Sequence, residues 1–421
     1  VKLEDIGFYT LENERAKNAS EKSPLWRNEL IITSRCNFNC PYCRGTDING
    51  EKRDMAFDEI KKVVDFFALN KIKNVRLSGG EPTVHRDILE IVKYIKTTCN
   101  EIRHIAISTN GYASIDLYRE LIGAGVNDFS ISLDACCSSV GDMMSGGVTG
   151  SWVKVTNNIR EISMLTYVTV GMVFTQENAP QLRESILFAH DLGVSDIRII
   201  SAAQWDDFEI FENLDIPEAI LDAHPILAYR VRNFKQKRNV RGISETDARR
   251  CGLLLDDMIV KGDYHYPCVI KMREGCEPIG KTSDADVRGD RFRYFKGCNC
   301  YQDATCKKNC LDVCVDYNNK FLIEKIKAQV TVERILSDSF TWDAWSAGSV
   351  HDFGIEHFRF DNCARYRDTL LQGLVGYCFA EEVSCRPKTN HVALLYDLDG
   401  SRFWFHVRND EFYELFIIDA E

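Results

Sequence analysis

Two periodicities take turns along the first two hundred residues. Short apolar runs at 29–34, 74–78, 104–108, 128–133, 167–174 and 196–200 predict six strands. Between them, residues 57–69, 88–95, 115–122 and 152–165 space their apolar side chains three and four apart and predict helices. A further helix is opened by Asn178 and Pro180 and closed at Gly193. Strands joined through helices run parallel with right-handed crossovers. Six such units fall short of the eight in a closed barrel. The periodicity alone therefore leaves a partial barrel and an open doubly wound sheet as alternatives. In both, ligands sit beyond the carboxyl ends of the strands.

The remaining segments pattern differently. Residues 1–28 are polar and mixed, an N-terminal extension with little core. Residues 203–262 read as a bridge, within which residues 229–241 carry six basic side chains and no acidic one. A solvated helix face is the first expectation there, with contact to a phosphate-bearing substrate or an acidic peptide as the alternative. Residues 263–320 are cysteine-rich. Residues 321–421 form an α+β extension with aromatics at Phe340, Trp342, Trp345, Phe353, Phe358 and Phe360, and a hairpin signal at Asp399-Gly400.

Composition narrows the class. An apolar fraction of 45% over 421 residues supplies a sizeable core, and a net charge of −11 argues against a broad nucleic-acid footprint. The charged first residues carry no apolar signal-peptide core, and no apolar run nears the roughly 20 residues of a membrane span. A cytoplasmic protein without membrane contact is expected. In that compartment the seventeen cysteines read as reduced thiols holding metal rather than as disulfides.

Chemistry concentrates at the expected strand ends. After the first strand, Cys36, Cys40 and Cys43 place three thiols within eight residues, so that one loop can aim them at a single point. Iron–sulfur clusters and zinc both accept such ligands. After the second strand comes Ser78-Gly79-Gly80-Glu81-Pro82, where glycines admit a ligand close to the backbone and Glu81 offers a carboxylate to an ammonium group. Polar groups follow at Ser108 and Asn110, at Ser132 and Asp134, and at Gly171 and Arg198. Cys136 and Cys137, with the glycine-rich residues 141–150, lie where substrate is expected.

These motifs resemble the radical SAM superfamily, through C-x3-C-x2-C with Tyr42 before its last cysteine and through Gly79-Gly80-Glu81-Pro82. The resemblance implies a partial (β/α)6 TIM-like barrel and a [4Fe–4S] cluster on Cys36, Cys40 and Cys43. It further implies S-adenosylmethionine bound by Gly79, Gly80, Glu81, Ser108, Asn110, Ser132, Asp134, Gly171 and Arg198. Cys268, Cys276, Cys298, Cys300, Cys306, Cys310 and Cys314 resemble the SPASM/Twitch extension, which implies one or two auxiliary [4Fe–4S] clusters. Their C-x-C-x5-C-x3-C run is one residue shorter at its first step than that family's C-x2-C-x5-C-x3-C.

The implied chemistry is oxygen-sensitive reductive cleavage of S-adenosylmethionine to a 5′-deoxyadenosyl radical, fed by a flavodoxin or ferredoxin. Hydrogen abstraction from a ribosomally made peptide is the leading expectation, with epimerisation or carbon–carbon or carbon–sulfur bond formation as outcome. Rearrangement of a small molecule or modified nucleotide is the second, and a non-enzymatic iron–sulfur scaffold the third. Cys136 and Cys137 are the candidate hydrogen donors to a substrate radical.

Overall fold

The computed structural model describes residue 8, residues 14–44, 53–205 and 209–329, and four strands within 356–418. In chain order the elements begin with α1 (Glu14–Asn18), β1 (Arg27–Thr33), α2 (Phe57–Leu69), β2 (Asn74–Gly79), α3 (Ile88–Thr98) and β3 (His104–Thr109). Next come α4 (Ile115–Ala124), β4 (Asp128–Ser132), α5 (Ser138–Met144), α6 (Ser151–Ser163), β5 (Tyr167–Phe174), α7 (Leu182–Asp191) and β6 (Asp196–Ser201). The chain continues through α8 (Glu218–Ala223), α9 (Pro225–Lys235), β7 (Asp257–Lys261), β8 (Tyr264–Tyr266), α10 (Val269–Arg273) and β9 (Gly280–Lys281). Helices α11 (Val287–Gly297), α12 (Ala304–Asn309) and α13 (Asp312–Gln329) follow.

All six expected strands are present and pair in parallel. The sheet order is β6-β5-β4-β3-β2-β1-β7-β8-β9, and among the described residues it does not close on itself. This is a partial α/β barrel. Its strands have two unlike faces. Leu30, Ile32, Val75, Leu77, Ile107, Phe129, Ile131, Val170 and Ile199 are fully buried on the helix side. The alternate positions Arg27, Glu29, Arg76, Ser78, Ser108, Ser130, Ser132 and Arg198 line a cavity. Parallel strands covered on both sides ordinarily read as continuous apolar runs. Here small polar side chains leave space on the second face, and charged ones occupy its floor.

Three expectations change. The bridge 203–262 contributes β7, which pairs in parallel with the other side of β1, with Arg27 opposite Asp257. The N-terminal extension does enter a core: Phe8 and Ala16 are buried, and Phe8 stands edge-on to Tyr229 at 5.0 Å. The basic run is only in part a solvated face: Arg232, Lys235 and Lys237 are exposed, but two others form ion pairs. Arg230, on α9, is 1% exposed and paired with Asp312, while Arg238 reaches Asp316 at 2.7 Å. Both partners lie on α13, so these charges fasten α9 to α13.

A separate antiparallel sheet contains β10 (Glu356–Arg359), β11 (His391–Leu398), β12 (Ser401–Arg408) and β13 (Phe412–Ile418), in the order β10-β13-β12-β11. β11 and β12 pair from Leu398 opposite Ser401, as the hairpin signal predicted. Phe340, Trp342, Trp345, Phe353 and Phe360 lie outside the described residues. Among the described residues no helix is long and apolar enough to cross a membrane.

The helix-side core generates a stability prediction. Phe129 is completely buried and packs edge-on against Tyr118 at 5.7 Å. Phe129→Ala is expected to cost about 3–5 kcal/mol, read as a lower urea midpoint with an unchanged slope.

Candidate active site

The loop after β1 has no regular structure, and its place is set by bonds arriving from several elements. Tyr42 donates its hydroxyl to Asp134, beyond β4, and Gln204 donates to the Tyr42 carbonyl at 3.0 Å. Asn110 donates its side-chain amide to Asn37 at 2.7 Å, and the Asn39 N–H meets the Ser145 carbonyl at 3.0 Å. Within the loop, Phe38 N–H donates to Cys36 Sγ at 3.4 Å. All three thiols of the loop line the cavity. Burial raises Cys36, and burial with the nearby Asp134 pushes Cys40 up to about 12. Metal binding here must therefore displace protons.

The glycines of the next motif answer to steric demands. A Cβ on Gly79, whose φ is +143°, would stand 2.1 Å from the Thr33 carbonyl oxygen, and one on Gly80 would stand 2.2 Å from that of Arg35. The turn thus lies directly against the base of the cysteine loop, to which Gly80 and Glu81 donate their N–H groups. Glu81 is 1% exposed and lines the cavity. Its Oε1 accepts Thr83 N–H and the Thr83 and Thr109 hydroxyls, and its Oε2 accepts Asn110 N–H at 2.6 Å. Burial raises its pKa against these donors. The carboxylate is rigidly aimed, and Oε2 keeps a lone pair for an ammonium donor.

The cavity measures about 460 Å³ and is lined by seven arginines, with Glu29, Glu81 and Asp134 as its carboxylates. Arg27 pairs with Asp257 at 2.6 Å, Arg76 with Asp128 at 2.9 Å, and Arg230 with Asp312. Arg198 differs. It is exposed into the cavity and donates to Ser130 Oγ at 3.3 Å. Among the described residues no carboxylate forms an ion pair with it at close range, although Glu29 and Asp128 act on it from further away. Burial, then the neighbouring Arg76 and Arg230, bring it down to about 10, still charged at neutral pH. Gly171 provides its room, since a Cβ there would lie 3.2 Å from Arg198 Nη2.

Other predicted residues serve different ends. Asp134 accepts from Tyr42 through one oxygen and from Val173 N–H at 2.8 Å through the other, so it anchors the cysteine loop instead of offering both oxygens to a ligand. Ser108 Oγ accepts from Arg76 at 3.1 Å, and Ser132 lines the cavity. Cys136 and Cys137 do not line it. Their sulfurs turn toward Gln181 Oε1, at 3.5 and 3.6 Å, because Asn178 and Trp152 bond the Asp134 and Ala135 carbonyls and draw this segment toward α6 and α7. The cavity lining therefore gives no support to the expectation that these thiols supply hydrogen to a substrate. Of the glycine-rich loop, Gly141, Met144 and Ser145 reach the cavity, whereas Gly146 abuts Asn39.

A second thiol group forms beyond the barrel. Cys300 bonds to Cys251, Cys298 and Cys306, with Cys298 Sγ at 3.6 Å. The free thiols of Cys310 and Cys314 are hydrogen-bond neighbours, and Cys268 lies near Cys251, Cys306 and Cys314. Cys251, isolated in sequence, is thus a member, and contact with Cys300 brings it down to about 7. It stands 17 residues before Cys268, flanking the β7–β8 hairpin, and is the first of the eight thiols from Cys251 to Cys314 that the sequence offers for two clusters. Among the described residues no three His, Cys, Asp or Glu side chains are arranged to hold a single metal ion. A four-iron cluster takes its thiolates at separate corners, and soft sulfur donors from two converging segments suit that group.

The close glycine contacts generate a prediction. Gly80→Ala must move the turn that aims Glu81. Affinity for S-adenosylmethionine is expected to fall by about tenfold or more, as loss of a charge-assisted hydrogen bond implies. Iron on the cysteine loop should be retained, and equilibrium dialysis with iron analysis reads both.

The profile described as Radical SAM superfamily matches residues 30–189. The GTP 3′,8-cyclase of Tolumonas auensis is 37% identical over 108 residues, which cover 25% of this chain and 32% of that protein. The GTP 3′,8-cyclase of Actinobacillus pleuropneumoniae serotype 3 is 30% identical over 188 residues, covering 42% of this chain and 54% of that protein. The chain thus spans about a third to a half of these curated relatives. The solved structure of anSMEcpe with bound AdoMet shares the fold, with a TM-score of 0.50 and 14% identity over 72% of this chain and 95% of that one. With a barrel of this order, its cysteine loop and its Gly-Gly-Glu-Pro turn in place, residues 30–189 form a radical SAM domain, of the kind that uses a [4Fe–4S] cluster and S-adenosylmethionine.

Proposed function

We propose that this chain abstracts hydrogen from a small anionic substrate of the nucleoside phosphate class, held in the arginine-lined cavity. Arg198 carries this reading: a guanidinium exposed into the cavity, flanked by Arg76 and Arg230, with Glu29 and Asp128 acting only from a distance and no close ion pair among the described residues. Such a group favours a phosphate or carboxylate. The names of the cyclase relatives add support, since a nucleoside triphosphate has the charge this cavity would receive. The peptide expectation loses its lead, because a neutral backbone brings no charge to Arg198.

Cys36, Cys40 and Cys43 would hold the cluster and Glu81 would receive the ammonium of S-adenosylmethionine. When bound, the two supply one-electron cleavage and a hydrogen-abstracting radical. Gly79 and Gly80 let that ligand lie against the backbone beside the thiols. Asp134, through Tyr42, fixes the loop's position relative to β5, and Arg198 and Arg76 would orient the substrate anion from the floor. The chemistry needs an external reductant, for which we propose a flavodoxin or ferredoxin. The second thiol group, Cys251 included, would hold one or two auxiliary clusters.

Anaerobic titration tests the substrate class. GTP is expected to bind more tightly than guanosine, and Arg198→Met to weaken GTP by about tenfold or more while S-adenosylmethionine still binds. Equal binding of GTP and guanosine, or an unaltered Arg198→Met, would sink the anionic reading. Alanine at Cys36, Cys40 and Cys43 together should abolish 5′-deoxyadenosine release, and release at the parent rate would overturn the cluster assignment.

A further inference from the structure

Lys271 touches the geometry of three cysteines at once. Its backbone N–H donates to Cys268 Sγ at 3.4 Å, where Cys268 caps α10. Its carbonyl accepts the Cys276 N–H at 3.1 Å. Its ammonium, 13% exposed, bonds Asp303 at 2.6 Å and the Tyr294 hydroxyl at 2.9 Å. Asp303 in turn caps α12, accepting the Cys306 N–H at 2.9 Å through its other oxygen. One ion pair thus joins two segments that sequence separates by some thirty residues, and each end of it is bonded to the local frame of a thiol.

We propose that Lys271, clamped to Asp303, is a positioning residue for an auxiliary iron–sulfur site, setting Cys268, Cys276 and Cys306 in register and standing a fixed positive charge beside their thiolates. The inference rests on reading the second thiol group as an iron–sulfur site. Two effects are separable. The clamp brings the thiols of α10 and α12 together before metal arrives, which lowers the ordering cost of binding. The ammonium lies close enough to Cys276 and Cys306 to interact electrostatically with both. Adding an electron to a thiolate-ligated cluster adds negative charge, so a nearby cation favours the reduced state and raises the reduction potential. An ion pair that merely braced the fold would change stability and leave the potential alone.

The experiment uses the full chain with Cys36, Cys40 and Cys43 replaced by Ala, reconstituted anaerobically with iron and sulfide, so that remaining iron reports the second site. Iron per chain and the midpoint potential from an EPR-monitored titration are the readouts. Lys271→Gln keeps a donor for Asp303 without the charge, and is expected to retain iron with a lowered midpoint. Lys271→Met and Asp303→Leu break the clamp and should lose at least half of the iron, while Lys271→Arg should restore both readouts. Circular dichroism separates iron loss from misfolding, and a misfolded Met or Leu variant leaves the Gln and Arg variants to decide. Parent-like iron and midpoint in Lys271→Gln and Lys271→Met would overturn the proposal. A parent that binds no iron would instead overturn the iron–sulfur reading itself, and this proposal with it.

Discussion

Guanidinium groups on the concave face of a parallel sheet lose hydration that nearby carboxylates or a bound anion must offset. Arg27, Arg76 and Arg230 are met by Asp257, Asp128 and Asp312. Those partners come from β7, β4 and α13, so compensation on the floor requires the sheet to extend beyond β1 and α13 to lie across α9. The cavity exists because this face keeps serine and glycine where a closed barrel packs branched apolar side chains. Arg198 is where compensation stops, and its solvation there comes from the cavity.

The cysteine loop depends on the same architecture. It has no ladder or helix of its own, and its contacts come from Asp134, Gln204, Asn110 and Ser145. These groups stand at the ends of β3, β4 and β6 and on the segment following α5, so the position of the thiols is a product of the assembled barrel. Gly79 and Gly80 complete the arrangement by bringing Glu81 to the loop's base, a closeness no side chain at either position would permit.

Local patterns were legible and distant pairings were not. The six strands show as short apolar runs because their helix-facing positions, such as Leu77 and Ile131, are fully buried. The thiol and Gly-Gly-Glu-Pro spacings are equally local. The basic run was legible only in part: Arg232, Lys235 and Lys237 are exposed as expected, but Arg230 and Arg238 meet partners on α13, some eighty residues later, and nothing in the run announces them. β7 escaped for the same reason: it is short, and its neighbour β1 lies more than two hundred residues earlier. Asp134 was legible as functional but not in its role, since a carboxylate at a strand end serves equally to bind a ligand or to anchor Tyr42. Cys136 and Cys137 follow β4 as expected, yet position along the chain does not say which way a side chain turns.

The cavity and the second thiol group share a wall. Leu311 lines the cavity and is bridged through its backbone to Arg241, while its neighbours Cys310 and Asp312 face different tasks. Cys310 joins the thiols, and Asp312 holds Arg230 and also accepts from Asn233 at 2.7 Å. An anion drawn to Arg230 would therefore compete with the residue that fixes the start of α13, on which Cys314 also lies. Because Asp312 is 1% exposed, water is a poor substitute partner there. Retaining the Arg230–Asp312 pair while the anion binds chiefly to Arg198 would satisfy both demands, and this supports the proposal of Arg198 as the anion contact among the cations of the floor.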